Sequence, residues 1–184
     1  KSQEMYPKIW PGIKWSERKM QWTAPSGATL WMSYLDKDQD VTKYQGLAFS
    51  WIGFDELTQW ATPFAWNYMR SRLRSADPEL PLCMRATTNP GGRGHHWVKK
   101  MFIDPSPAGK SFIATDIETG EPLKYPAGHA KAGRPLFKRR FIPARLKDNP
   151  YLSQQGDYEA MLLSLPEQQR RQLLDGDCLL YTSP

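Results

Sequence analysis

At 184 residues the chain is about one domain long, enough to bury a sizeable core, and 8 Trp, 8 Tyr and 7 Phe exclude wholesale disorder. A formal net charge of +6 and a pI near 9.3 suit a polyanionic partner without proving one, and no apolar run approaches the roughly 20 residues of a membrane helix. Cys83 and Cys178 lie far apart, with no CxxC and no His at ligand spacing, and read most simply as reduced thiols in a cytosolic protein.

The opening KSQEMYPKIWPG has no apolar signal core and no initiator Met, so the chain reads as a fragment. Residues 1–17 are expected to be a helix end and a loop. Residues 19–24 and 28–35 flank the turn triplet Pro25-Ser26-Gly27 and predict a hairpin. Residues 46–54, GLAFSWIGF, are nearly continuous in apolar residues, as in a parallel strand covered on both faces. Thr62-Pro63 then supplies an N-cap and a first helical position for a helix to about Ser75. Residues 82–88 predict the next strand. Strand, helix and strand at these lengths make a βαβ unit, which sets the loops after Phe54 and after Thr88 side by side at the carboxyl edge of a parallel sheet. The second loop, TTNPGGRG, carries glycines whose amides can approach an anion, and a short helix is expected over 95–103. Residues 104–138 read as a loop or small hairpin and 138–143 as a final strand. A helical tail opens at Asp148-Asn-Pro150, and a second helix starts at Pro166 and stops at Gly176.

Between the two loops lies WIGFDELTQW, an apolar strand running into Asp55 and Glu56. Adjacent carboxylates repel, and burying either one unpaired is costly, so a cation is expected there. A strand ending in Asp-Glu is how P-loop ATPases hold magnesium and activate water. The first carboxylate binds a magnesium-bound water and the second polarises the attacking water. A polar residue ending the adjacent strand then senses the terminal phosphate, and Asn89, with Thr87 and Thr88, occupies that place. The bland alternative is an acidic helix cap, which the nearby TTNPGG weakens.

Three stretches, KYQGLAFSWIGFDELTQW, MRATTNPGGRGHHWVKKMFID and RFIPARLKDNPYL, resemble the large subunit of tailed-phage terminases, in that family's order and spacing, from about Tyr6 to Asp177. The resemblance implies an incomplete α/β fold of the P-loop NTPase type (additional-strand, catalytic-glutamate), a three-layer sandwich on a mainly parallel sheet with a C-terminal helical linker. Residues 1–147 correspond to the C-terminal portion of the ATPase domain, 148–177 to the linker, and 178–184 to a non-native tail. It further implies an ATP-hydrolysing motor that moves double-stranded DNA into a procapsid, as a homo-oligomeric ring on the portal protein, with a terminase small subunit as partner. Such a motor works in the host cytoplasm, without a membrane. ATP and Mg²⁺ are the implied cofactors. Asp55 matches the Walker B aspartate, Glu56 the catalytic glutamate, and Thr87, Thr88 and Asn89 the coupling motif. Gly91, Gly92 and Arg93 fall on the phosphate side of the site.

The chain departs from the family in three ways. No G-x-x-x-x-G-K-[ST] precedes Trp51, and SPAGKS at 106–111 is a decoy: Asp104 stands where the first glycine belongs, and no strand leads in. The chain alone is therefore expected to hydrolyse ATP poorly or not at all. The tail CLLYTSP replaces the expected nuclease domain. Gln45 leaves the arginine finger unplaced.

Arg93 reads equally as a phosphate contact or a solvated loop residue. Lys99, Lys100, Lys138, Arg139 and Arg140 are either DNA contacts or a solvated face. His95 and His96 suit the helix surface or the phosphate side better than a metal, since neighbouring helical residues point about 100° apart. Trp22, Trp31, Trp51 and Trp97 are expected in the core. The rival readings are another P-loop motor, such as a helicase, and a non-enzymatic basic scaffold or DNA-binding module.

Overall fold

A computed structural model describes residues 1–153, 156–174 and 176. The tail at 178–184 and the linker's last residue, 177, lie outside the described residues. The chain falls into two compact units, Lys1–Asp40 and one that begins at Val41, a boundary the sequence reading does not place.

The first unit joins a helix (α1, Ser2–Ile9) to a three-stranded antiparallel meander of β1 (Lys14–Ser16), β2 (Gln21–Thr23) and β3 (Thr29–Trp31). The hairpin about Pro25-Ser26-Gly27 is as expected: Gly27 turns at φ +86°, and the Ala24 N–H donates to Ala28 O at 2.8 Å. β1 is a strand where a loop was expected. Its cause is aromatic: Trp15 pairs opposite Trp22, ring centroids 5.2 Å apart, and Tyr6 closes on Trp22 at 5.3 Å. Trp22 is buried as expected, whereas Trp31 is exposed, on the other face of the strand pleat.

In the second unit β4 (Trp51–Phe54) and β5 (Cys83–Ala86) pair in parallel, Trp51 against Cys83 and Phe54 against Ala86, with α2 (Phe64–Arg70) between them in sequence. This is the expected strand–helix–strand unit, with shorter elements. Phe49 donates to Arg72 O at 2.9 Å and accepts from the Arg74 N–H at 3.0 Å. Residues 71–74 therefore leave the helix to bond sideways, and α2 ends at Arg70 instead of near Ser75. Two-sided cover of β4 is not observed. Ile52 is buried, but Trp51 is 49 % exposed and its ring lies across Gly53, where an added Cβ would sit 2.4 Å from it.

Helix α3 (His95–Val98) runs into a π-turn over Lys99–Ile103, in which the Asp104 N–H reaches Lys99 O at 3.0 Å. Its inner side completes a core of Leu57, Trp66, Trp97, Val98 and Met101, against which Phe54, Trp60, Met84 and Phe102 pack. This core backs the turn after β4.

The strand expected over 138–143 is present as β7 (Lys138–Arg140), but it pairs antiparallel with β6 (Ser111–Ile113), from the segment expected to be a loop or small hairpin, and this pair is separate from β4–β5. β7 turns Arg139 inward, to 8 % exposure, which corrects both of its expected places, a DNA contact and a solvated face. Its Nη1 donates to Thr115 O at 2.8 Å, and the guanidinium lies 5.3 Å from the Phe137 ring, which Arg70 approaches to 4.5 Å. Burial and the neighbouring Arg70 hold its pKa down at about 10. Three helices follow, α4 (Pro150–Ser153), α5 (Gly156–Leu163) and α6 (Glu167–Leu174), and Gly176 at φ +64° suits the expected stop.

The chain is thus mixed α/β with small sheets, and among the described residues parallel pairing is found in β4–β5 and in the single bridge between Phe49 and Leu73. No helix of the described residues is long and apolar enough to cross a membrane.

Candidate functional site

The parallel register decides which loops meet. Phe54 O accepts from the Thr87 N–H at 3.0 Å, and Thr87 O accepts from the Leu57 N–H at 3.0 Å, so the turn after β4 and the loop after β5 are stitched together backbone to backbone. Asp55, Glu56, Thr87, Thr88 and Asn89, 34 residues apart at the extremes, come together in this way.

Asp55 is exposed and held from two sides. The Thr87 hydroxyl donates to its Oδ1 in a very short bond, and the Glu56 N–H donates to the same oxygen at 3.1 Å. Its other carboxylate oxygen accepts nothing among the described residues. Glu56 is exposed and sits at φ +52°, ψ +51°, a left-handed conformation that a side chain adopts at a cost near 1 kcal/mol or more. Its carbonyl accepts from the Gln59 N–H at 2.9 Å, which closes the short 3-10 turn Leu57–Gln59.

Behind the pair stands Thr58, 3 % exposed, which sequence reasoning missed. Its N–H donates to Thr88 Oγ1 at 3.0 Å, and the two hydroxyls lie 2.7 Å apart. Asn89 O is within 3.1 Å of the Thr58 hydroxyl and 3.2 Å of the Thr88 hydroxyl. With one proton each, one hydroxyl donates to the other and the second donates to Asn89 O. Thr58 O in turn accepts from the Gly94 N–H at 2.7 Å. One residue thus ties the acidic turn to both ends of TTNPGGRG. The only signal for it was its position two residues past the acidic pair.

The glycines are explained by close approach. Gly91 and Gly92 turn at φ +95° and +81°. A Cβ on Gly92 would meet Thr58 O at 2.7 Å, and one on Gly94 would meet Trp60 O at 1.9 Å. The Gly91 N–H is engaged by His95 Nδ1 at 3.1 Å, while those of Gly92 and Arg93 donate to nothing among the described residues. The capacity to hold an anion therefore lies at Gly92 and Arg93, both exposed. His95 is buried at 3 % exposure, which corrects its placement on the helix surface: the glycine loop folds onto its imidazole. His96 is exposed. Lys99 pairs with Asp104 at 2.5 Å and is only 17 % exposed, leaving Lys100 as the open cation of that pair. Ser111 of SPAGKS opens β6 rather than a helix, which agrees with its reading as a decoy.

A magnesium ion held mainly through water and phosphate needs few protein oxygens. Asp55, oriented by Thr87 with one oxygen open, fits that donor set. No cluster of three or more His, Cys, Asp or Glu suited to a metal occurs among the described residues. In comparisons with known proteins, no family model matches the chain, and neither a curated protein nor a solved structure resembles it significantly.

Proposed function

We propose that this chain carries the magnesium- and water-activating half of a P-loop ATPase of the terminase large-subunit type, a motor that drives double-stranded DNA into a procapsid. The observation that carries the reading is the joining of Asp55 and Glu56 to Thr87, Thr88 and Asn89 across adjacent parallel strands. Magnesium-bound ATP would supply the reacting phosphate and the charge that offsets the two carboxylates. Asp55, fixed by the Thr87 hydroxyl, would hold the magnesium ion through water. Glu56 accepts the proton of the attacking water. Asn89 sits on a loop whose backbone Thr58 and Thr88 clamp, so that movement of the loop and movement of the acidic turn are one movement. The unengaged N–H groups of Gly92 and Arg93 face the phosphate side. On this reading the two-stranded parallel unit belongs to a larger P-loop sheet, and the portal, a small subunit and further copies of the chain are its partners.

The non-enzymatic reading has one observation in its favour: the two hydrogen bonds to Asp55 are also those of a structural cap. Reading the coding DNA on both sides of this sequence separates the two. The motor reading expects a strand followed by G-x-x-x-x-G-K-[ST] upstream and an acidic nuclease domain downstream. In the protein so completed, Glu56→Gln keeps Mg²⁺-dependent ATP binding and lowers turnover by a factor of about 10²–10⁴. Unchanged turnover removes Glu56 as the base, and Mg²⁺-independent or absent nucleotide binding removes the ATPase.

A further inference from the structure

Charge is unevenly distributed along this chain. Eight of the 25 Lys and Arg, and none of the 19 Asp and Glu, fall within residues 122–147, which leaves 17 cations against 19 carboxylates elsewhere. The whole basic excess belongs to one hairpin and the strand that follows it.

The fold presents that charge outward. Beyond β6 the chain doubles back on itself: the Tyr125 N–H donates to Arg134 O and the Leu136 N–H to Leu123 O, both at 2.9 Å, and Lys124 bridges Pro135. At the tip His129 stacks on Tyr125, ring centroids 4.6 Å apart at 18°, with the Lys131 ammonium 5.8 Å from the Tyr125 ring. In β7 the pleat buries Arg139 and leaves Lys138 and Arg140 exposed. Lys124, Lys131 and Arg134 are exposed as well. None of these five is in an ion pair among the described residues. Collecting unpaired like charges on one hairpin is unfavourable until a polyanion approaches.

We propose that the hairpin over residues 122–140 is a docking surface for the phosphate backbone of a DNA duplex. Backbone rather than base contact follows from its composition. Residues 122–147 hold no Asn, Gln, Ser or Thr, and so lack the amides that read adenine and the small hydroxyls that assist. Lys and Arg reach phosphates of any sequence. The position of the surface rests on charge and fold alone; the choice of a DNA duplex among polyanions rests on the function proposed above.

The test titrates the full chain against a fluorescent duplex of arbitrary sequence at several salt concentrations. One variant combines Lys124→Ala, Lys131→Ala, Arg134→Ala and Lys138→Ala. A control removes as many exposed cations elsewhere, with Lys8→Ala, Lys14→Ala, Arg18→Ala and Lys19→Ala. The hairpin variant is expected to lose at least about tenfold in affinity near 0.1 M salt, and its slope of log affinity on log salt to become shallower by about 3 to 4, while the control moves little. Equal losses in both variants, unchanged binding by the hairpin variant, no duplex binding by the parent chain, or binding of phosphatidylserine vesicles in place of the duplex would each overturn the proposal. Duplex binding is read without nucleotide, so it does not depend on the Asp55–Glu56 site. A failed ATPase and a failed docking surface are therefore separate results.

Discussion

Removing the Thr58 hydroxyl tests the joining of the two loops most directly. Thr58→Val keeps the shape and the β-branch and deletes only the Oγ1, which lies 2.7 Å from the Thr88 hydroxyl and 3.1 Å from Asn89 O. The Thr58 N–H keeps its acceptor in Thr88, and the Thr88 hydroxyl keeps Asn89 O at 3.2 Å. The loss is then about one to two buried hydrogen bonds, and at about 1 kcal/mol each the expected destabilisation is about 1.5 kcal/mol. For a chain of this length that corresponds to a fall in Tm of about 3–6 °C. The assay is urea unfolding followed by tryptophan fluorescence, with the shift appearing in the midpoint and an unchanged slope. Thr58→Ser, which retains the hydroxyl, should recover most of the loss. Combining Thr58→Val with Thr88→Val should give a coupling near 1 kcal/mol, since the two hydroxyls share one bond. Strict additivity, or a midpoint that Thr58→Val leaves in place, would refute the argument that this side chain binds the loops into one unit.

Gly94→Ala should cost about 3 kcal/mol in the same assay, because its Cβ would press on Trp60 O and on the indole nitrogen of Trp97, 2.5 Å away, and so break the Trp97–Trp60 hydrogen bond; a loss under 1 kcal/mol would show that the loop relaxes freely. Leu57→Ala, at the centre of the core, is expected to destabilise by about 2–5 kcal/mol. Glu56→Gly should stabilise the fold by about 1 kcal/mol by relieving the left-handed strain, while removing the base on the proposed reading; a loss of stability would mean that the Glu56 side chain itself holds the turn. The Asp116 carboxylate is held below its ordinary value of 3.8 by the Thr119 and then the Glu118 backbone N–H groups. Because its folded pKa is depressed, the stabilisation is full above 3.8 and fades as pH falls through the lower folded value. An acid melt should accordingly show Asp116→Asn closing the gap to the parent chain below about pH 4, and a constant gap would exclude Asp116 as the cause.

The sequence by itself determined the elements whose cause is local. Pro25-Ser26-Gly27 supplied a turn that only glycine at φ +86° closes comfortably. The apolar runs on either side of Thr62-Pro63 supplied a strand–helix–strand unit, and from its connection length alone came the meeting of Asp55 with Thr87, Thr88 and Asn89. Tertiary structure decided the rest, since each remaining choice depends on a partner distant in sequence. Phe49 pairs with the backbone beyond α2 and so ends that helix at Arg70. Trp51 points away from the core because the pleat gives that side to Ile52, and Arg139 turns inward because the alternation of β7 sets it opposite Phe112, beside Thr115 and Phe137. Thr58 and His95 look like ordinary turn and helix residues in the sequence. They become organisers of the site only when the glycine loop folds back onto them: Thr58 through Thr88, 30 positions away, which no local pattern encodes, and His95 through the Gly91 N–H, four positions back, once the loop has turned.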